Sequence, residues 1–299
     1  DEASMIPLAQ IIFAIYKFSP DTAIIIAGDP MQITPIVQEE EWKRENIYSM
    51  VNLDRFDNPQ TEPIQFDIKN LETQYRSLPA IGRVFSEYAY AGLLSHHRKS
   101  DEQKKLDLPN LPLTPLTLIP FKVSRMDDIF RPYKLSGSNV HIYSVLLIVE
   151  LCKYISKEYG KKENNPTLRI GIICPYVAEA QMIEKLLEQV YGLPDTVEIN
   201  VGTIHGFQGD ECDVIFVVLN PPVGLKGAAD RVFLNDKNII NVAISRARDY
   251  LFVLYPHKST DGFDRLVEMK RLGRIMNEHS TEVQQYTCDE IERIIFNKP

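Results

Sequence analysis

The sequence lacks any long apolar run, and it contains only four cysteines and one tryptophan in 299 residues. No stretch approaches the roughly 20 apolar residues that a membrane-spanning helix requires, and no signal-peptide pattern opens the chain. We therefore expect a cytoplasmic protein without a membrane partner. The cysteines show no Cys-x-x-Cys spacing, so neither a zinc site nor a disulfide framework is predicted.

The chain also has fewer positively than negatively charged side chains. Lysine and arginine number 33 against 41 aspartates and glutamates, which gives a formal net charge of −8. Because phosphate contacts come from lysine and arginine, this balance argues against a protein covered in nucleic acid, and any binding groove must be locally basic. The length and the hydrophobic fraction of 44% are those of a globular protein with one large or two medium domains.

The rest of the chain is organised around residues 201–248. Residues 214–219 form a β-branched apolar run, which predicts a strand buried on both faces of a parallel sheet. The polar residues ahead of this run are expected at a sheet edge, where three glycines let the backbone turn tightly or approach a ligand. These polar residues are Thr203, His205, Gln208, Asp210, Glu211 and Asp213. The composition indicates a phosphate-handling loop, with Asp213 bracing the following strand.

Residues 238–248 predict a helix that carries Arg246 beside its apolar positions. An arginine placed there can meet a phosphate, because a guanidinium is always charged and binds phosphate through two parallel bonds. For Arg248 two interpretations stay open: it stacks or pairs near the site, or it forms a structural salt bridge with Asp249 or Glu211.

Two further apolar runs, at residues 22–27 and 168–174, predict buried parallel strands. Gly28-Asp-Pro-Met-Gln32 follows the first run and Pro175-Tyr176 follows the second, and open α/β sheets bind ligands beyond the carboxyl ends of their strands. Tyr176 is equally compatible with packing at a helix start. The basic run at 96–105, which includes Arg98, predicts a solvated loop rather than a nucleic-acid contact.

Five segments, in the same order along the chain, resemble motifs II to VI of the superfamily 1 helicases. The similar branch is the one that includes the nonsense-mediated-decay RNA helicase and its DNA-helicase relatives. The segments are Asp1-Glu-Ala-Ser4, Gly28-Asp-Pro-Met-Gln32, Leu71-Glu-Thr-Gln-Tyr-Arg76, Thr203-Ile-His-Gly-Phe-Gln-Gly-Asp-Glu-Cys-Asp213 and Asn241-Val-Ala-Ile-Ser-Arg-Ala-Arg248. Each segment alone is a modest signal, and their common order carries the resemblance.

The resemblance implies an α/β fold with a RecA-like parallel sheet flanked by helices. Residues 1–70 would be the C-terminal part of a first RecA-like helicase domain, and residues 71–299 a second RecA-like domain with C-terminal helices. The Pro-rich stretch at 58–63 is a boundary by composition.

The resemblance also implies ATP hydrolysis in a cleft between two RecA-like lobes, with ATP and Mg²⁺ as cofactors. Asp1 would hold Mg²⁺ and Glu2 would orient or deprotonate the attacking water. Gln32 would sense the γ-phosphate, while Arg76 and Arg246 would reach it from the second lobe.

Further residues are assigned by the same resemblance to nucleotide or to nucleic acid. The additional nucleotide contacts are Asp29, Gln208, Gly209 and Glu211. The expected contacts to single-stranded DNA or RNA are Thr203, His205 and Tyr176. Closure of the lobes on ATP would then move the strand.

One family motif is missing, because no Gly-x-x-x-x-Gly-Lys-[Ser/Thr] phosphate-binding loop occurs in the sequence. We therefore expect a fragment whose partner is an upstream part of the first RecA-like domain that carries this loop, and negligible ATP hydrolysis by the chain alone. The alternative is a catalytically silent helicase-like module that binds nucleic acid or acts as a scaffold. A third hypothesis adds a fused upstream activity such as a nuclease.

Overall fold

A parallel sheet of six strands lies at the centre of the chain. The computed structural model describes residues 2–19, 21–35, 37, 46–50, 67–124, 126–162, 165–224 and 232–296. Residues 2–35 are called the N-terminal segment below, and residues 67–296 the sheet domain. Asp1 and the predicted boundary at 58–63 lie outside the described residues.

Ten strands are described, with these bounds: β1 Thr73–Gln74, β2 Ser95–His96, β3 Leu116–Phe121, β4 Pro132–Leu135, β5 Ser138–His141, β6 Leu168–Cys174, β7 Val197–Thr203, β8 Cys212–Val218, β9 Ala247–Pro256 and β10 Val283–Gln285. The central sheet has the order β10-β3-β9-β8-β6-β7, and every neighbouring pair in it is parallel. A short parallel pair, β1 with β2, and an antiparallel hairpin, β4 with β5, lie outside it.

Eight α-helices are described: α1 Leu8–Tyr16, α2 Ile47–Met50, α3 Pro79–Ala89, α4 Ile142–Gly160, α5 Val177–Glu188, α6 Lys237–Ile244, α7 Val267–Glu278 and α8 Cys288–Phe296. None of the described helices is long and apolar enough to cross a membrane.

Alternation along the strands divides the core into two layers. In β8, Ile215 and Val217 face α3, α6 and α7, whereas Val214 and Phe216 face α4, α5 and α8. Successive side chains of a strand point to opposite faces, so a continuous apolar strand supplies both layers at once. The predicted α/β fold, a parallel sheet flanked by helices, is confirmed.

The predicted strand at 22–27 is wrong. These residues form no strand, and the side chains of Ile24, Ile25 and Ile26 are 45%, 90% and 41% exposed. A strand requires a hydrogen-bonded neighbour, and within the described ranges no other strand pairs with this run. One backbone bond, from the Ala3 amide to the Ala27 carbonyl at 3.0 Å, joins it to the start of the chain.

The helix predicted at 238–248 is too long. Helix α6 ends at Ile244, and β9 already begins at Ala247. The helix ends early because Ala247 pairs with Cys212 of β8, although the spacing of apolar residues would allow the helix to continue. Arg246 therefore lies in the turn between helix and strand, and Arg248 lies in the strand. The β4–β5 hairpin has no counterpart among the sequence predictions.

The stacked rings of Phe216 and Phe252 cross the centre of the sheet, with centroids 4.5 Å apart. Phe216→Ala is expected to lower the free energy of unfolding by about 3–5 kcal/mol, because it opens a cavity at a fully buried position. Phe13→Ala is the matched control, because Phe13 is 64% exposed, and we expect a change below about 1 kcal/mol. Urea unfolding measures both, and equal losses would contradict this account of the core.

Candidate functional site

The start of the β8–β9 pairing brings three predicted site residues to one place. The Cys212 amide donates to the Arg246 carbonyl at 3.2 Å, and Cys212 then pairs with Ala247. Because parallel strands begin at the same edge, Glu211, Arg246 and Arg248 lie together at the amino edge of the sheet. This placement follows from strand register, before any side chain is considered.

Glu211 lies between two arginines that are distant in sequence. Arg76 Nε donates to Glu211 Oε2 at 2.8 Å, and Arg248 Nη1 donates to Oε1. Arg76 Nη1 also donates to the Ser245 carbonyl at 3.0 Å. Burial alone would raise the pKa of the Glu211 carboxyl, but the hydrogen bonds from the two arginines outweigh it and hold the pKa below its usual range. For Arg248 the salt-bridge interpretation with Glu211 is confirmed.

Arg246 is almost fully buried, with 2% of its surface exposed. Its Nε donates to the Val242 carbonyl at 3.0 Å, so the side chain satisfies a carbonyl at the end of α6. Its Nη2 donates to Ser245 Oγ at 3.2 Å. The guanidinium is thereby fixed against the helix end.

The electrostatic surroundings of Arg246 include predicted residues from the N-terminal segment and from the start of the sheet domain. Burial first, and then the charge of Arg76, lower the pKa of Arg246 to about 10, while Tyr90, Glu2 and Asp29 act in the opposite direction. Arg246 therefore keeps its charge at neutral pH. The two cationic side chains, Arg76 and Arg246, and the two anionic ones, Glu2 and Asp29, thus interact electrostatically at this place. Such an arrangement is suited to a charged ligand.

Gln208 connects the loop before β8 to the N-terminal segment. Its Nε2 lies 3.2 Å from Glu2 Oε2 and 3.5 Å from Gln32 Oε1. Its Oε1 atom is buried and has no hydrogen-bond partner within the described part of the chain. Gly209 has φ +90°, a conformation that side chains rarely adopt, and its neighbourhood is open. Gly209 thus supplies the turn, and its nucleotide contact remains a prediction.

A cluster of hydrogen bonds fixes the loop of Asp29 and Gln32 onto the sheet domain. Asp29 Oδ2 accepts from the Tyr90 hydroxyl and from Gln32 Nε2, the latter at 3.2 Å. Asn241 Nδ2 donates to the Tyr90 hydroxyl at 2.9 Å and to the Met31 carbonyl at 2.8 Å. Asp29 therefore orients the loop that carries Gln32.

A second asparagine of α6 contacts the same loop. Asn238 Nδ2 donates to the Pro30 carbonyl at 3.1 Å and to the Gln32 carbonyl at 2.7 Å. Sequence reasoning missed Tyr90, Asn238 and Asn241 as site residues. The only available signal was that both asparagines occupy polar positions on an otherwise apolar helix.

The residues predicted to contact nucleic acid lie at the opposite, carboxyl edge of the sheet. Thr203 ends β7, and Tyr176 follows β6 at the start of α5. The His205 ring stacks on Phe233 with centroids 5.9 Å apart, and Tyr176 lies 6.3 Å from the same phenyl ring. Phe233, half-buried between them, completes an aromatic platform of three rings.

The loop at 204–211 runs from one edge to the other. It leaves β7 where the Ile204 amide donates to the Cys174 carbonyl at 3.1 Å, and it ends at Glu211. Phe207 fixes it in the middle by packing over two glycines: a Cβ at Gly171 would lie 2.9 Å from the ring, and one at Gly202 would lie 3.1 Å from it. The platform and the arginine cluster, which is formed by Arg76, Arg246 and Arg248, thus lie at the two ends of one connected segment.

No group of three or more His, Cys, Asp or Glu side chains that could hold a metal occurs among residues whose placement is described. Asp1, the predicted Mg²⁺ ligand, lies outside those residues. Its role stays a prediction.

The profile of the AAA domain family matches residues 53–258, which is more than half of the chain. The chain belongs to the AAA domain family. With the similarity to named helicases reported next, this match identifies the AAA domain as a helicase-like module of the superfamily 1 type that the motifs predict.

Three curated relatives illustrate the similarity. Helicase SEN1 of Saccharomyces cerevisiae is 26% identical over 238 residues, covering 79% of this chain and 10% of that protein. The 5'-3' DNA helicase ZGRF1 of Mus musculus is 26% identical over 257 residues, covering 85% and 12%. DNA polymerase alpha-associated DNA helicase A of Saccharomyces cerevisiae is 26% identical over 246 residues, covering 77% and 34%. The AAA domain chain thus spans 10% to 34% of the length of these relatives.

Among solved structures, the C-terminal domain of a possible DNA helicase from Lactobacillus plantarum WCFS1 aligns with 64% of this chain and 93% of that one. Its sequence identity is 14% and its TM-score is 0.33, a likeness too low to support an argument.

A buried carboxyl lies in helix α5 of this AAA domain, which begins directly after Tyr176. Glu179, in the first turn of α5, is fully buried, and its Oε1 accepts from Ser144 Oγ at 3.0 Å. Burial raises the pKa of Glu179 to about 8, although the hydrogen bond from Ser144 opposes the shift. The carboxyl is therefore mostly protonated at neutral pH.

This raised pKa predicts a pH-dependent stability. Below its ordinary pKa of 4.5 the carboxyl is neutral in both the folded and the unfolded chain. As pH rises from 4.5 towards 8, the unfolded chain ionises while the folded one keeps its proton, so the free energy of unfolding falls. Relative to Glu179→Gln, the wild type is expected to lose about 1 kcal/mol or more between pH 5 and pH 8. Urea unfolding across this range measures the difference, and parallel pH curves would contradict the prediction.

Proposed function

We propose that this AAA domain is part of an ATP-dependent helicase or translocase that couples ATP hydrolysis to movement along single-stranded DNA or RNA. In this proposal residues 1–70 belong to a first lobe and residues 71–299 form the second. Hydrolysis takes place where the two meet, with ATP as the substrate and Mg²⁺ as the metal.

The observation that carries the proposal is the meeting of four predicted side chains from distant parts of the sequence, those of Glu2, Gln32, Arg76 and Arg246, with Gln208 in contact with two of them. Gln208 contacts both Glu2 and Gln32. Arg76 and Arg246 both donate to Ser245, and the charges of Glu2 and Arg76 act on Arg246. A binding module has no chemical need for a carboxylate, an amide and two guanidinium groups at one place. Phosphoryl transfer uses each of them.

Each of these groups has a separate task in the proposed reaction. The Glu2 carboxylate orients or deprotonates the attacking water, and the Gln32 amide positions the same water against the γ-phosphate. Arg76 and Arg246 stabilise the negative charge that develops on the transferred phosphoryl group. Glu211 keeps Arg76 beside the carbonyl of Ser245.

The donor set of the site is compatible with a metal-bound polyphosphate. Carboxylate oxygens are the ligands that Mg²⁺ prefers, and Asp1 with the phosphates would hold the ion, which supplies charge neutralisation when bound. The buried, unpartnered Oε1 of Gln208 adds an acceptor without a donor at the same place. Asp29, Gly209 and Glu211 shape the surroundings of the nucleotide.

In this proposal the loop at 204–211 couples the nucleotide site to the nucleic-acid site. One end of this loop lies at the arginine cluster, and the other end lies at Thr203 and His205. In this scheme the loop and the strands on which Phe207 packs shift as one unit on nucleotide binding, so that both ends of the loop move together. Single-stranded nucleic acid contacts the aromatic platform in this scheme.

Arg246→Ala tests the proposed catalysis in the longest native polypeptide that contains this chain. Its kcat for nucleic-acid-stimulated ATP hydrolysis is expected to fall about 10³-fold or more, since an arginine on the phosphoryl group contributes about 10³ to 10⁵. Single-stranded DNA and RNA are compared as activators. Arg274→Ala, on α7 with a side chain 71% exposed, is the matched control and should keep full turnover.

Full stimulated turnover by the Arg246→Ala protein would contradict the proposal. Absence of stimulation in the wild type, with nucleic acid still bound, would favour a catalytically silent binding or scaffold module. Robust ATP hydrolysis by the 299-residue chain itself, lost on Glu2→Gln, would contradict the expected need for an upstream phosphate-binding loop.

Phe233→Leu tests the aromatic platform without removing its apolar volume. Affinity for single-stranded nucleic acid is expected to fall about tenfold, because stacking of one base on an aromatic ring contributes about 1–3 kcal/mol. Fluorescence anisotropy at fixed salt measures the affinity. Leu135→Ala, on the exposed part of the hairpin, is the control. An unchanged dissociation constant would remove Phe233 from the nucleic-acid path.

A further inference from the structure

Arg98 is buried under the arginine cluster, although it belongs to the basic run that predicts a solvated loop. Its side chain is only 8% exposed. Its Nη1 donates to the Arg76 carbonyl at 2.9 Å and to the Arg248 carbonyl at 3.0 Å. Its Nη2 donates to Asp249 Oδ1 at 2.8 Å and to the Glu102 carbonyl at 3.0 Å. For Arg98 the expectation of a solvated position is wrong.

The two carbonyls that Arg98 contacts through Nη1 belong to the two residues whose side chains hold Glu211. One nitrogen of the Arg98 guanidinium thus links the backbone of Arg76 to that of Arg248. The side chains of Arg76 and Arg248 both extend from these linked backbones to the Glu211 carboxylate.

Other bonds join the same two segments, but each reaches a single acceptor. Ser77 Oγ donates to the Ala247 carbonyl at 2.6 Å, and the Leu78 amide donates to the Arg248 carbonyl at 2.9 Å. Arg98 alone among these donors bridges both segments with one side chain. A lysine has a single nitrogen and cannot reach these two carbonyls, the Asp249 carboxylate and the Glu102 carbonyl together.

The buried charge of Arg98 is balanced by Asp249, whose side chain is 3% exposed. Removing one member of a buried ion pair leaves the other uncompensated, which is strongly destabilising. Replacing both members with apolar residues of similar volume is often neutral. The pair therefore allows the carbonyl contacts of Arg98 to be removed without leaving a buried charge.

We propose that Arg98 is a positioning residue for Arg76: it fixes the Arg76 backbone against that of Arg248, so that the Arg76 guanidinium meets the phosphoryl group during hydrolysis. The inference rests on the proposed ATPase function. Arg98 lies beneath the backbone and acts only through the residue it holds.

The double variant Arg98→Met/Asp249→Leu tests this role in the longest native polypeptide that contains the chain. Its urea midpoint is first compared with that of the wild type. We then expect kcat for stimulated ATP hydrolysis to fall about 10- to 100-fold with the KM for ATP nearly unchanged, because a misplacement of about 1 Å costs up to 10²-fold. Arg98→Lys keeps the charge pair and should show the same direction with a smaller loss. Arg274→Met is the matched surface control.

The same double variant in an Arg76→Ala background separates positioning from general structural damage. If Arg98 acts through Arg76, the second pair of substitutions leaves kcat unchanged there, because no guanidinium remains to be positioned. Equal fold-losses in both backgrounds would overturn the inference. So would an unchanged kcat in the folded double variant.

A second readout does not depend on ATP. Arg76 and Arg248 hold the pKa of Glu211 below its usual range, so their displacement should raise it. A ¹³C NMR titration of the Glu211 carboxyl in the 299-residue chain measures this, and an unshifted titration in the double variant would overturn the inference. A raised Glu211 pKa combined with full ATPase activity of Arg76→Ala would instead refute the proposed function while leaving the geometric role of Arg98 in place.

Discussion

The backbone bond from the Cys212 amide to the Arg246 carbonyl begins the pairing of the two central strands, and the arginine cluster follows from it. Once β8 and β9 start at the same level, Glu211, which directly precedes β8, lies beside Arg248 of β9 with the two side chains within reach. The turn between α6 and β9 then places Arg246 against the last carbonyls of its own helix. A shift of register between β8 and β9 would separate these groups, since a shift by one residue turns each side chain of a strand to the opposite face.

Charge is concentrated at this edge in a chain whose net charge is −8. Arg76, Arg98, Arg246 and Arg248 are gathered there, and Glu211 and Asp249 each balance part of the charge. Because these groups are partly or wholly removed from water, their interactions are stronger than those of exposed ion pairs. The local excess of guanidinium groups is compatible with an anionic ligand even though the whole chain is acidic.

The two edges of the sheet have different chemistry. The amino edge carries the arginines and meets the loop of Asp29 and Gln32, whereas the carboxyl edge carries the platform around Phe233. The loop at 204–211 spans the sheet between them and is held to it by Phe207, which packs on glycines of β6 and β7. The loop therefore connects the two edges physically, because its middle is packed on the sheet and its ends are hydrogen-bonded.

The motifs carried most of what could be predicted from the sequence, together with the strongly apolar strands. Residues 214–219 read as a buried strand because both faces are apolar, and the candidate site residues followed from five segments in family order. Tyr90, Asn238, Asn241 and Arg98 could not be found in this way, because their partners in these hydrogen bonds lie 61 to 210 residues away. Most of these partners are backbone carbonyls, which have no sequence signature. The predicted helix at 238–248 was too long because the local spacing of apolar residues does not reveal a strand partner. The predicted strand at 22–27 was wrong because a pattern of apolar residues specifies a strand only when a neighbouring strand pairs with it.

The sequence by itself determined the strand candidates, their hydrophobic faces and the chemical types at the site. Tertiary structure alone decided which charges meet, since contacts between distant segments depend on register and burial, which local sequence does not encode.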